Sequence, residues 1–307
     1  MAVITDWTPA KASAFTHETL EFQHRLHRRP MFSDAGLIDL LDRYPRDKLG
    51  VFTMGHDPVD WTTWRRGSPG RLSGAQLLQA ALEGRIWLNL RQTNLHLPEY
   101  TDLEEEIFAD KARASKVRTF KHDLGMLISS ANAHVFYHLD VPLVSLWQLR
   151  GEKQVLVYPP RAPFVGAQDL ERIVMRDTAE QFAFDPAWDA QARSVTLTPG
   201  AMVTWPQNAP HRIVNGPMLN VSLSIEFMTP AALLRANVIY ANGVLRRRAG
   251  IDPALESGAG PANMAKLALA RMVKASGLQR PNARVTPVSF TLDPRYPGVP
   301  QPLDRAA

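Results

Sequence analysis

Three residues in this chain have the types and spacing to hold a transition metal: His138, Asp140 and His211. In the two-residue period of a strand, His138 and Asp140 point to one face while Leu139 points away, so two ligands converge on one point. A third ligand from a distant strand would complete a facial set of two histidines and one carboxylate. That arrangement leaves neighbouring positions open on iron. Such vacancies suit a bidentate oxo acid beside dioxygen.

A His-x-Asp pair alone is weak. With nine histidines and eighteen aspartates among 307 residues, chance supplies about half an occurrence. Context raises it. His138 closes the β-patterned segment AHVFYH, and His211 follows a Pro-Gly turn and a strand in PGAMVTWPQNAPH. Lys153 opens another strand behind the turn Arg150-Gly151-Glu152. His134 shares strand parity with His138 and reads as a pocket or core residue rather than a fourth ligand. The adjacent pairs His56-Asp57 and His122-Asp123 would send their side chains to opposite faces of a strand and are discounted. Trp61, Trp64 and Trp87 read as core; Trp147 and Trp205 are candidates for lining a pocket.

Composition narrows the chemistry. The chain has no cysteine, which excludes disulfides, thiolate metal sites, iron–sulfur clusters and cysteine nucleophiles. A metal would have to be held by histidine and carboxylate. Hydrophobic content of 45% and charged content of 21% fit a globular enzyme. The first residues contain no apolar run of signal-peptide type, and no uncharged apolar stretch approaches a membrane span, so a cytoplasmic protein is expected. The net charge is +5, with eleven Lys/Arg against four Asp/Glu from Pro230 onward, including Arg246-Arg247-Arg248. No aromatic platform accompanies that charge, so a solvated helix face is expected rather than a nucleic-acid surface.

The elements that must position these residues are short strands. Residues 1–116 read as a mixed, mostly helical region with helices opening at Ser33 and Ser73 and a strand at Ile86–Leu90. Phe32 and Leu37 form a hydrophobic staple across the first of these. Over 117–229 eight strands are expected, at Met126–Ser129, Ala133–His138, Val144–Leu149, Gln154–Val157, Ser194–Leu197, Met202–Trp205, Arg212–Val214 and Asn220–Phe227. They are punctuated by Gly151, Pro159-Pro160, Pro199-Gly200 and Asn215-Gly216. That density argues for a sandwich or barrel. An insert at 161–193 carries a helical patch. Two amphipathic helices follow (231–248 and 261–276, within 230–280), and a Pro-rich tail at 281–307 reads as extended.

The stretch HLDVPLVSLWQLRGEKQVLVYPP, from His138 to Pro160, resembles the metal-binding half of the JmjC/cupin-like Fe(II)/2-oxoglutarate-dependent hydroxylases. In pattern it is closest to the asparaginyl hydroxylase of hypoxia-inducible factor. Pro199, Gly200, Pro206 and His211 follow the spacing of that family's second half. The resemblance covers about a third of the chain and implies a mainly β protein with a double-stranded β-helix (cupin, or jelly-roll) core and flanking helices. It implies His138, Asp140 and His211 as Fe(II) ligands, and Lys153 as the cation holding the far carboxylate of 2-oxoglutarate. The sequence departs from the family in three places. Ala209-Pro210 stands where a tryptophan usually precedes the distal histidine, and Val135 stands where a co-substrate hydroxyl often sits. Ser224 replaces a carboxamide. Tyr137, Ser222 and Ser224 are the candidates for the missing hydrogen bond.

The activity so implied is hydroxylation of a protein side chain or a small molecule. The alternative is a cupin-fold metal-binding or regulatory module without 2-oxoglutarate turnover; a cupin isomerase or dioxygenase without that co-substrate is disfavoured by Lys153. Leu233, Leu234, Val238 and Leu245, with Met264, Leu267 and Met272, offer enough apolar surface for a homodimer through the C-terminal helices.

Overall fold

The structure is a computed structural model that describes residues 2–303 apart from 56, 58, 61, 62, 179–181 and 279–285. His56 and Trp61, and the tail at 281–285 and 304–307, therefore lie outside the described residues. The N-terminal region runs α1 (Pro9–Ala14), β1 (Leu20–Gln23), α2 (Asp34–Arg43), β2 (Gly50–Thr53), β3 (Arg66–Ser68), α3 (Gly74–Glu83), β4 (Ile86–Leu90), α4 (Thr93–His96) and α5 (Pro98–Ser115). Ser33 caps α2 by accepting from the Gly36 N–H, and Phe32 and Leu37 are both buried beside it. Ser73 and Gln76 form a reciprocal capping box on α3. The eighteen-residue α5 was not singled out by sequence pattern.

Eight strands then alternate between two sheets. They are β5 (Phe120–Ser129), β6 (His134–His138), β7 (Leu143–Arg150), β8 (Lys153–Val157), β9 (Arg193–Leu197), β10 (Ala201–Thr204), β11 (His211–Asn215) and β12 (Asn220–Met228), with α6 (Ala167–Val174) between β8 and β9. The larger sheet contains the order β10-β7-β12-β5, and the smaller one is β6-β11-β8-β9. Successive strands thus switch sheets, crossing the sandwich by tight turns at β7/β8 and β9/β10, except that β8 and β9 pair with each other in the smaller sheet. This is a double-stranded β-helix, as expected. Gly151 makes one of those turns, at φ +73, and a Cβ there would sit 2.3 Å from the Leu219 carbonyl oxygen.

The larger sheet extends beyond the barrel. β1 pairs with β10 on one side, while β4, β2, β3, β13 (Val288–Thr291) and β14 (Gln301–Pro302) continue it beyond β5. The tail is therefore partly strand, because β13 pairs in parallel with β3. The main core packs the N-terminal helices on the outer face of this sheet, around Leu41, Leu77, Ile107, Met126 and Leu223. A second core fills the barrel between the two sheets, with Val144, Leu146, Val155, Val157, Val203 and Ile213. α7 (Pro230–Ala249) and α8 (Pro261–Ser276) pack on each other at the open end of the barrel. Arg246 pairs with Glu171 (3.0 Å) and Asp252, and Arg247 with Asp177. The basic run is thus not simply a solvated face: two of its three members make ion pairs, with the α6 region and with the segment after α7.

Candidate metal centre

His138 ends β6, Asp140 lies two residues beyond it, and His211 begins β11, so all three gather at the open end of the barrel. His138 and His211 are directly cross-strand from one another. Their ring centroids are 4.2 Å apart, and His211 Nε2 lies 3.4 Å from Asp140 Oδ2. One potential ligand atom from each residue falls within 4.8 Å of the other two.

The imidazoles are oriented for ligation. His138 Nδ1 donates to the Phe136 carbonyl at 2.9 Å, and His211 Nδ1 to the Ala209 carbonyl at 3.1 Å. Each bond fixes the tautomer that leaves Nε2 as a lone-pair donor, the usual service of groups surrounding a metal site. His211 is almost fully buried, and that burial, with His138 beside it, holds its pKa well below the ordinary histidine value. It is neutral at pH 7, as a ligand must be. Burial raises the Asp140 pKa, while His138 and Arg91 pull it back. Three neutral-or-anionic donors thus face one point with no cation between them, and two imidazoles plus one carboxylate suit a divalent iron.

A β-bulge decides which neighbours join them. His211 pairs with His138, yet Ile213 pairs with Val135, so β6 carries one extra residue between the two pairs. Strand parity is reset there. Val135 faces the interior with His138, whereas His134 does not line the cavity and Tyr137 turns outward. The Tyr137 hydroxyl donates to the Phe164 carbonyl at 2.7 Å, inside an outer aromatic cluster with Tyr158 and Phe184. The expectation that Tyr137 contacts a co-substrate is therefore corrected, as is the one that put His134 beside His138. Ser222 is engaged elsewhere, donating to Gln148 Oε1. Ser224 does line the cavity.

The cavity has a volume of about 120 Å³ and runs from the triad into the barrel, where Lys153 lies at its inner wall. Along β8, His211 is cross-strand from Val157 and Lys153 lies four positions earlier, roughly 13 Å of strand on the same face. Lys153 is 4% exposed. Among the described residues its ammonium has no hydrogen-bond or ion-pair partner, and burial lowers its pKa to about 7.

Sequence comparison does not identify a family. No protein-family model matches the chain, and no curated protein matches it. Solved structures of similar shape include Escherichia coli YcfD, at 18% identity over 88% of this chain and 68% of that one, with a TM-score of 0.48. The same protein, described as a ribosomal oxygenase and bound to cobalt and 2-oxoglutarate, matches at 18% identity over 89% and 67%, with a TM-score of 0.48. A 2OG-Fe(II) oxygenase family oxidoreductase from Burkholderia pseudomallei matches at 11% identity over 73% and 92%, with a TM-score of 0.44.

Trp205, a candidate pocket residue from the sequence, lines the cavity and packs on His211 at 4.4 Å between ring centroids, while other cavity residues escaped the sequence reading. Trp147 is buried in the main core instead. Trp87 is not core: it lines the cavity and joins Trp64 (5.0 Å) and Phe52 (5.2 Å), and Trp64 also meets Phe136 (4.6 Å). Asp123, discounted with His122, lines the cavity too. It pairs with Arg91 at 2.9 Å, and Arg91 pairs with Glu226 at 2.7 Å. The signal was present in IWLNLR: Ile86, Leu88 and Leu90 are buried, while Trp87, Asn89 and Arg91 form the alternate, amphipathic face.

Proposed function

We propose that the chain is an Fe(II)- and 2-oxoglutarate-dependent oxygenase that hydroxylates a protein side chain or a small molecule, with His138, Asp140 and His211 as the metal ligands. The observation that carries this reading is the pairing of two features in one cavity. An oriented two-histidine-one-carboxylate set lies at the mouth, and a buried lysine without a protein partner lies at the inner wall. Either alone has a structural explanation. Together they fit a dicarboxylate whose keto acid end meets the metal and whose far carboxylate meets Lys153.

Iron bound here would supply the oxidising chemistry, driven by dioxygen and the loss of carbon dioxide from the oxo acid. The protein residues have quieter tasks. The Phe136 and Ala209 carbonyls hold both imidazoles by their Nδ1 protons, so that Nε2 is always presented. Asn208 Nδ2 donates to the Asp140 carbonyl at 3.0 Å and holds the ligand loop. A carboxylate beside Lys153 would keep its ammonium protonated, and the pair would compensate two charges otherwise costly in a low-dielectric wall. Ser224 offers a hydroxyl on the opposite sheet. Val144, Leu146, Val155 and Ile213 around them exclude water.

A metal-binding module without turnover is the second reading, and Val135 favours it, because an apolar side chain lines the wall where a hydroxyl would help bind the oxo acid. Succinate formation separates the two. With Fe(II), ascorbate and air, the intact chain should convert 2-oxoglutarate slowly to succinate without added substrate, and His211→Ala should not. Tight metal binding with no succinate at any co-substrate concentration would select the module. Pairing of chains through α7 and α8 is a further part of this proposal, supported by exposed Met264 and Met272; light scattering on the full chain tests it, and a monomer would end it.

A further inference from the structure

A second cavity, of about 720 Å³, opens beside the first turns of α7, the start of β7 and residues 256–259 ahead of α8. Its volume lies within the about 300–1,000 Å³ of small-molecule sites. It shares no lining residue with the metal cavity. Leu143, Leu234, Val238, Pro160 and Pro206 make its walls apolar. One strong cation lies in that wall. Arg235 is half-buried and makes a single hydrogen bond, Nε to Asn208 Oδ1 at 3.3 Å. It has no carboxylate partner among the described residues, in contrast to Arg246 on the same helix, which pairs with Glu171 and Asp252.

The remaining charge in the groove is sparse. His17 and Glu256 line it but are exposed. The first turn of α7 contains no acid, so the positive end of the helix dipole adds to the guanidinium rather than meeting a compensating side chain. Desolvation lowers the Arg235 pKa, with no opposing acid. A guanidinium has five N–H donors in a planar fork, and among the described residues only one of them is used here. A half-buried cation in an apolar wall is an incomplete arrangement, and a ligand carrying one planar anion at one end completes it.

We propose that this groove binds an amphiphilic carboxylate: an apolar chain or ring against Leu143, Leu234 and Val238, and a carboxylate paired with the Arg235 guanidinium. The groove shares no lining residue with the metal cavity, so its failure would leave the oxygenase reading intact.

The test is calorimetric titration of octanoate, with octanol as its uncharged counterpart, into the metal-free full chain. Octanoate should bind at one per chain and octanol much more weakly. In Arg235→Met the octanoate affinity should fall roughly ten- to a hundredfold, the worth of a charge-assisted hydrogen-bonded pair. Ala231→Trp, at an exposed position on the groove wall, should abolish binding by filling the space, and circular dichroism should confirm that its fold is intact. Lys153→Met should leave octanoate binding unchanged, which keeps the ligand out of the barrel. Absence of octanoate binding, or equal affinity in Arg235→Met, overturns the proposal. So does tighter Arg235-dependent binding of a hexaglutamate peptide, or a full chain that is dimeric and becomes monomeric in Ala231→Trp, since either gives the groove to a different occupant.

Discussion

Among the described residues two lysines are buried, one against the outer face of the larger sheet and one on β8 of the smaller sheet, and burial lowers the pKa of both to about 7. Lys111, on α5, is 1% exposed and lies in the main core. Its ammonium donates to Ser145 Oγ at 2.9 Å and sits over the rings of Phe227 (4.7 Å), Phe108 (5.0 Å) and Trp147 (5.5 Å). Those aromatic faces and the hydroxyl are its solvation shell. Lys153 has nearly the same burial and the same shift, yet faces a cavity that also holds the candidate metal ligands. A perturbed pKa therefore does not mark a functional site by itself. What separates the two lysines is what surrounds the ammonium: protein groups in one case, space for an anion in the other.

The sharpest way to break this comparison is to remove each charge while keeping its alkyl bulk. Lys153→Met should lower 2-oxoglutarate affinity of the metal-loaded protein by about 3–5 kcal/mol, or roughly two to four powers of ten, without loss of metal. Lys111→Met should leave both affinities unchanged. Calorimetry on both variants decides it; equal effects would mean that Lys153 is merely a second core lysine.

The next effect is on stability against pH. Each lysine has a folded pKa near 7 against an ordinary 10.5. Between those values the unfolded chain binds more protons, so stability should rise with pH across that window and flatten outside it. The contribution is on the order of a few kcal/mol for each group. Urea denaturation should show the slope reduced by about half in Lys111→Met. Saturating a metal-loaded chain with 2-oxoglutarate should remove the share due to Lys153, because the bound carboxylate restores its proton. A slope unmoved by Lys111→Met would show that this lysine is solvated more fully than its surroundings suggest.

Smaller effects come from groups that orient. Asn208 adopts a left-handed conformation at φ +63, so Asn208→Gly keeps the backbone and deletes the bond to the Asp140 carbonyl. Metal affinity should weaken about tenfold, the lower end of the range for supporting residues. The matching change in the other region, Ser145→Ala under Lys111, should leave metal affinity unaltered. Ser224→Ala should weaken 2-oxoglutarate by about tenfold or less, the worth of one hydrogen bond, measurable by competition; no change would place the co-substrate nearer the smaller sheet.

Much of this was legible in the sequence because the barrel strands are short apolar runs and their turns carry glycine and proline. Seven of the eight core strands fall where the turns put them, to within one residue at each end, while β5 begins at Phe120 rather than Met126. The metal-ligand candidates were legible because His-x-Asp and the distal histidine flank strand ends that meet at one rim. Tyr137 and His134 were misplaced for a definite reason: the bulge opposite His211/Ile213 resets parity, and nothing in HVFYH announces it. Trp87 and Arg91 were missed because their strand was read for the buried face alone, and Asp123 because β5 begins at Phe120, ahead of the expected Met126. The partner that turns Arg91 and Asp123 into a cavity wall, Glu226, lies more than a hundred residues away in sequence. Lys111 was invisible, since a lysine inside a long charged helix such as PEYTDLEEEIFADKARAS reads as solvated.

The central claim is that the rim triad and the inner lysine serve one ligand. Anaerobic titration of the full chain with Fe(II) and then 2-oxoglutarate tests it most directly, by the visible charge-transfer absorption of an oxo acid chelated to iron. One iron and one 2-oxoglutarate per chain should be needed for the band. His211→Ala should lack it at any concentration, and Lys153→Met should show it only at co-substrate levels raised roughly a hundredfold or more. A chain that binds iron fully yet gives no band with saturating 2-oxoglutarate would contradict the account.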